Sequence, residues 1–161
     1  MKKILYLHGL ESSQGGPKVD FLSTKGEVCA PAMNYLANDL HQQVIDMMEE
    51  FEPDLIIGSS MGGYIADILG VRYDIQTLLF NPALHGRSFE PKIDTSILTP
   101  DATCVTTCFV MLGLGDIVIN PDTTEIMLAH KKRYILHKGA HGHRTSLDLF
   151  METYNKLEQY F

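Results

Sequence analysis

Gly58-Ser59-Ser60-Met61-Gly62 places a serine midway between two glycines, each two residues away. This G-x-S-x-G spacing suits a serine hydroxyl projecting from a sharp turn between a strand and a helix. The backbone there is so crowded that the positions two before and two after must lack side chains. The context fits: the apolar run Leu55-Ile56-Ile57 precedes it and a short, mostly apolar helical stretch, Gly62 to Gly70, follows. The alternative is a Gly-rich turn that merely joins two elements. A serine hydroxyl is a weak nucleophile and needs a neighbouring base, itself oriented by a third group. The chemistry implied is acyl transfer through a covalent intermediate.

When the nucleophile stands on such a turn, the acid and then the base follow it along the chain. Asp116 ends Leu112-Gly113-Leu114-Gly115-Asp116, directly after an apolar run, where a Gly-rich turn can aim a carboxylate back at an imidazole. Asp94, Asp101 and Asp122 follow no strand run and are weaker choices. Lys138-Gly139-Ala140-His141-Gly142-His143 offers two bases. His141 is preferred, because it lies nearer the end of the preceding strand and its small neighbours leave the ring room; His143 is the other candidate. Backbone N–H groups must also meet the developing oxyanion. Met61, the residue after the serine, and Leu10, in His8-Gly9-Leu10, are expected to supply them, with Gly9 permitting the turn. His8 reads as a structural residue of that loop.

These residues need a scaffold that delivers three distant loops to one place. Short, unbroken apolar runs recur at Ile4–Leu7, Val28–Ala30, Leu55–Ile57, Thr77–Phe80, Cys108–Leu112 and Tyr134–Leu136, as expected for strands buried on both faces of a parallel sheet. Helical spacings lie between them: Leu36 to Phe51, with Asn38 or Asp39 as a cap; Gly62 to Gly70; Pro121 to Ala129; and Leu147 to Phe161. The alternation predicts one α/β domain over residues 1–161, a doubly wound sheet that binds ligands beyond the carboxyl ends of its strands. Residues 85–103, polar and holding Pro91 and Pro100, break the rhythm and suggest a loop or small cap. Gly9, Tyr64 and Leu84 are placed to meet substrate.

With 45% hydrophobic and 20% charged residues among 161, the chain can bury a core unaided. A net charge of -7 disfavours nucleic acid, whose binding needs clustered cations. Lys131-Lys132-Arg133, the one dense basic run, reads as a helix end. No apolar segment approaches membrane-spanning length. Cys29, Cys104 and Cys108 are an odd count with no disulfide pattern, which points to the cytoplasm.

The segments Leu5 to Ser13, Gly58 to Tyr64, Phe80-Asn81-Pro82-Ala83, Gly113 to Asp116 and Gly139-Ala140-His141 together resemble the small esterases related to YqiA, a family of α/β-hydrolases. The resemblance spans nearly the whole chain. It implies a minimal three-layer α/β-hydrolase fold, with a mostly parallel sheet of about six strands and helices on both faces. It also implies a serine esterase acting on short-chain carboxylic esters, or on thioesters, without metal or cofactor, and it supports Asp116 and His141. Two rivals come from other classes. A metal site on His137, His141, His143 and Cys104-x-x-x-Cys108 lacks a clear ligand set. A non-catalytic binding protein on the same fold is the second. The first strand leads into His8-Gly9 rather than G-x-G-x-x-G, which disfavours a dinucleotide site.

Overall fold

Six strands form a single sheet in the computed structural model, which describes residues 1–10, 12, 14–96, 106–129 and 134–161. They are β1 (Lys3–Leu7), β2 (Glu27–Cys29), β3 (Leu55–Ser59), β4 (Gln76–Phe80), β5 (Cys108–Gly113) and β6 (Tyr134–Gly139). Their spatial order is β2-β1-β3-β4-β5-β6, and every neighbouring pair is parallel. The helices are α1 (Pro17–Ser23), α2 (Leu40–Phe51), α3 (Met61–Tyr73), α4 (Pro121–Leu128) and α5 (Leu147–Leu157), the last followed by a 3-10 turn at Glu158–Tyr160.

The strands are apolar on both sides because both sides are covered. On one face Leu5, Ile56, Leu79, Val110 and Leu112 pack with α2, α3 and Leu128 of α4. On the other, Tyr6, Ile57, Leu78, Phe80, Phe109 and Met111 pack with Leu22 of α1 and Phe150, Tyr154 and Leu157 of α5. Phe150 stacks on Phe80 with ring centroids 4.9 Å apart, which fastens α5 beneath the middle of the sheet. Because all strands run the same way, the loops after β1, β3, β4, β5 and β6 share one rim. The chain runs outward from β1 to β2 and then crosses back to β3, so the loops after β1 and β3 leave in opposite directions and flank the switch point where open α/β sheets bind ligands.

The helices refine the sequence expectations in detail. Helix α2 starts at Leu40, directly after the expected cap position Asp39, while Leu36 lies before it in a turn where Asn34 Oδ1 accepts its N–H. Asp39 stands at its cap position but turns its Oδ1 to the Gln43 side chain instead of the helix backbone. Helix α1, which the sequence reading passed over, begins at Pro17, whose fixed φ suits a first helical position. Residues 85–96 form bends that pack against α2 and α3: the Lys92 carbonyl accepts the His41 N–H, and Arg87, paired to Glu90, holds its guanidinium 3.9 Å from the Tyr64 ring centroid. The rest of the expected cap, residues 97–103, lies outside the described residues, as do Cys104 and the Lys131-Lys132-Arg133 run.

Candidate active site

The turn between β3 and α3 is built by close approach. A Cβ at Gly62 would lie 2.1 Å from the Leu7 carbonyl oxygen, and one at Gly58 would lie 2.4 Å from the Gly62 oxygen. Only glycine lets α3 start this close to the ends of β1 and β3. Ser60 pivots between them at φ 54° and ψ -118°, a conformation that costs a non-glycine residue of order 1–3 kcal/mol. The surroundings hold it there: the Ser60 N–H donates to the Phe80 oxygen at 3.0 Å, and its carbonyl accepts from Tyr64 and Ala83 at 3.1 and 2.9 Å.

Asp116 arrives from β5 on a turn in which its N–H donates to the Gly113 oxygen at 3.0 Å. Its side chain is 1% exposed. The cost of burying a carboxylate is offset by three donors. Oδ1 accepts the N–H groups of Val118 and Ile119 at 2.8 and 2.9 Å, and Oδ2 faces His143 Nδ1 at 2.7 Å. The other ring nitrogen, His143 Nε2, is 3.0 Å from Ser60 Oγ. An ionised carboxylate can only accept, so it selects the tautomer protonated on Nδ1 and leaves Nε2 free to take the serine proton.

The structure therefore joins Ser60 and Asp116 through His143 and not through the expected His141. The reason is distance across the sheet. Ser60 follows β3 and the histidine loop follows β6, three strands away, or roughly 14 Å at the usual strand spacing. His141, nearer the strand end, stays against Gly113, Gly115 and Gly139 at the ends of β5 and β6. The small neighbours of His141 do not free the ring to reach Ser60 but let it fold away. Its carbonyl accepts the Gly115 N–H at 3.0 Å, and its ring lies where a Cβ on Gly139 would come within 2.7 Å of Nδ1 and one on Gly113 within 2.9 Å of Cδ2. Its Nε2 is buried with no hydrogen-bond partner among the described residues.

Burial pushes the His141 imidazole below its ordinary range, against a weaker opposing pull from Asp116; burial, aided by Lys156, does the same to His137. The sign follows from linkage. Both rings resist protonation in the fold but not in the unfolded chain, so below the ordinary histidine value the unfolded state binds more protons. Their contribution is complete above that value and is lost as pH falls. We expect Tm to drop between about pH 7.5 and about pH 5.5, with His141→Asn flattening part of the slope. A Tm that held level or rose on acidification of the wild type would contradict this account.

Gly9 lies against Ser60, where its Cβ would be 3.3 Å from Ser60 Cβ. Met61 is the first residue of α3, so its N–H is among the amides without an acceptor inside the helix. Leu10 sits at the half-exposed tip of the β1 loop. Tyr64 and Leu84, expected beside substrate, are mostly enclosed in the core, Tyr64 beneath Arg87. His8 is structural as expected. Its Nε2 accepts the Met33 N–H at 3.0 Å, so the proton sits on Nδ1 and is donated to the Gly9 oxygen at 2.7 Å.

Sequence reasoning missed the apolar side chains around the acid. Leu114, Val118 and Ile117, the last 97% exposed, flank Asp116 at the rim. The signal was present in Leu114 and Ile117-Val118, an apolar stretch in what otherwise reads as a loop. Among the described residues there is no group of three or more metal-ligating side chains, and no helix is long and apolar enough to cross a membrane.

An all-parallel sheet with helices on both faces and a serine on the β3–α3 turn defines the α/β-hydrolase fold, and solved structures agree. An α/β-hydrolase from a metagenome of Mar Chica lagoon sediments superposes with a TM-score of 0.70 at 16% identity, over 99% of this chain and 90% of that one. One of the metagenome-derived lipolytic enzymes LipS and LipT superposes with a TM-score of 0.73 at 15% identity, over 99% and 94%. Within that fold the chain belongs to the Uncharacterised protein family UPF0227, which it matches over residues 3–109. The UPF0227 protein YcfP of Escherichia coli (strain K12 / DH10B) is 28% identical over 148 residues, covering 79% of this chain and 82% of that protein.

Proposed function

We propose that the protein is a serine esterase that hydrolyses short-chain carboxylic esters through an acyl-enzyme. The observation that carries this is the unbroken relay from Ser60 Oγ through His143 to the buried Asp116 carboxylate. Ser60 Oγ attacks the substrate carbonyl carbon as its proton passes to His143 Nε2. Asp116 keeps the ring oriented and stabilises its charged form. The tetrahedral oxyanion is met by the N–H of Met61 and that of Leu10, each such donor being worth about 2.7–4 kcal/mol of barrier. The imidazolium returns its proton to the departing alkoxide, leaving an acyl ester on Ser60. Water then attacks, giving a proton to His143. Collapse of the second tetrahedral species returns that proton to Ser60 Oγ and releases the carboxylic acid.

Leu114, Ile117 and Val118, exposed apolar side chains on the loop that carries Asp116, suit an uncharged acyl group. Kinship of fold with lipolytic enzymes supports the same reading. Cys29 is a free thiol, in keeping with a cytoplasmic protein. The test is turnover of p-nitrophenyl acetate and butyrate and of matching acyl thioesters by the full chain, with and without a chelator. Ester hydrolysis exceeding thioester hydrolysis, and indifferent to chelation, is expected. Preference for the thioesters would move the substrate class. Absence of turnover on every compound would refute the reading.

A further inference from the structure

Asn81 is a buried polar residue that the relay does not include. It follows β4, takes a left-handed backbone at φ 43° and is 1% exposed. Among the described residues, every hydrogen bond of its side chain goes to one of the two loops that carry Asp116 and His143. Oδ1 accepts the Gly113 N–H at 2.7 Å, at the root of the acid loop. Nδ2 donates to the His143 carbonyl at 2.8 Å and to the Gly142 carbonyl at 3.3 Å. Its own N–H donates to the Met111 carbonyl at 2.9 Å. The residues on either side reach the third loop: Phe80 accepts the Ser60 N–H and Ala83 donates to the Ser60 carbonyl. The turn from Phe80 to Ala83 thus touches the backbone of all three loops.

The base needs such a hold. His143 stands on a loop that leaves the edge strand β6, and Gly142 beside it adds backbone freedom. A carboxamide is the one small side chain that both accepts from an amide and donates to two carbonyls. The left-handed backbone also suits Asn, which visits that region more readily than most residues.

We propose that Asn81 is a positioning residue that fixes the His143 backbone, and so its ring, against Ser60 and Asp116. The inference rests on the esterase reading for its kinetic effect but not for its spectroscopic one. Asn81→Asp is the sharpest test: the shape and the acceptor for Gly113 survive, while both donors to the histidine loop are lost. Asn81→Gly, unstrained at this φ, is read if Asn81→Asp fails to fold.

The first readout is the deshielded His143 Nδ1–H proton, followed by NMR in 15N-histidine-labelled protein. It should weaken or vanish in the variant. The second is ester turnover, where kcat should fall about 10- to 100-fold while KM changes less than about threefold, as expected when the base is displaced but substrate binding is not. A folded variant that keeps both the wild-type proton signal and wild-type kcat would overturn the proposal, whatever its loss of thermal stability. If the wild type hydrolyses no ester, the esterase reading falls, and the proton signal alone still decides whether Asn81 positions His143.

Discussion

Ser60→Ala should lower kcat for p-nitrophenyl acetate by about 10⁴- to 10⁶-fold while leaving the fold intact. The size follows from the role: without Oγ no acyl-enzyme forms, and only binding and the oxyanion amides remain to assist water. The survival of the fold follows from what Oγ does not do. It makes no capping bond to α3; among the described residues its hydrogen-bond partner is His143 Nε2, while the strained backbone is held by Phe80, Tyr64 and Ala83. Losing that contact should change stability by about 1 kcal/mol or less, read as Tm by circular dichroism. A variant that kept near-wild-type turnover would show that the hydrolysis proceeds elsewhere.

The second large effect separates the two histidines. His143→Ala should cost about as much as the serine change, since nucleophile and base act as a unit. His141→Asn should leave kcat within about tenfold of wild type, as expected for a group that touches no reacting atom. The His143 change should also destabilise modestly, by about 1–3 kcal/mol, because the buried Asp116 carboxylate loses one of its three donors and keeps the Val118 and Ile119 amides. The reverse ranking, with His141 the costly site, would mean that the loop adopts a different path during turnover.

That pair also marks where a sequence stops being readable. The nucleophile turn was legible because its constraint is local: Gly58 and Gly62 are dictated by backbone contacts within a few residues and at the end of the adjacent strand. Asp116 was legible because it directly follows a strand. The six strands emerged because burial on both faces demands continuous apolar runs. The choice between His141 and His143 depended on how many strands separate the base loop from the nucleophile, which is a property of strand order rather than of the loop itself. Flanking glycines were read as room to move, whereas they are room into which the His141 ring packs. Asn81 was visible in Phe80-Asn81-Pro82-Ala83, but nothing in the sequence says that its amide reaches residues 113, 142 and 143. Contacts among loops that are distant in sequence carry no local periodicity.

The most direct measurement is labelling by a fluorophosphonate, which reacts with a serine only when its hydroxyl is activated, followed by peptide mass mapping. The account predicts one equivalent of adduct, on Ser60, at undiminished rate in His141→Asn and nearly absent in His143→Ala. Wild-type protein without an adduct on Ser60, or His143→Ala labelling as fast as wild type, would contradict it.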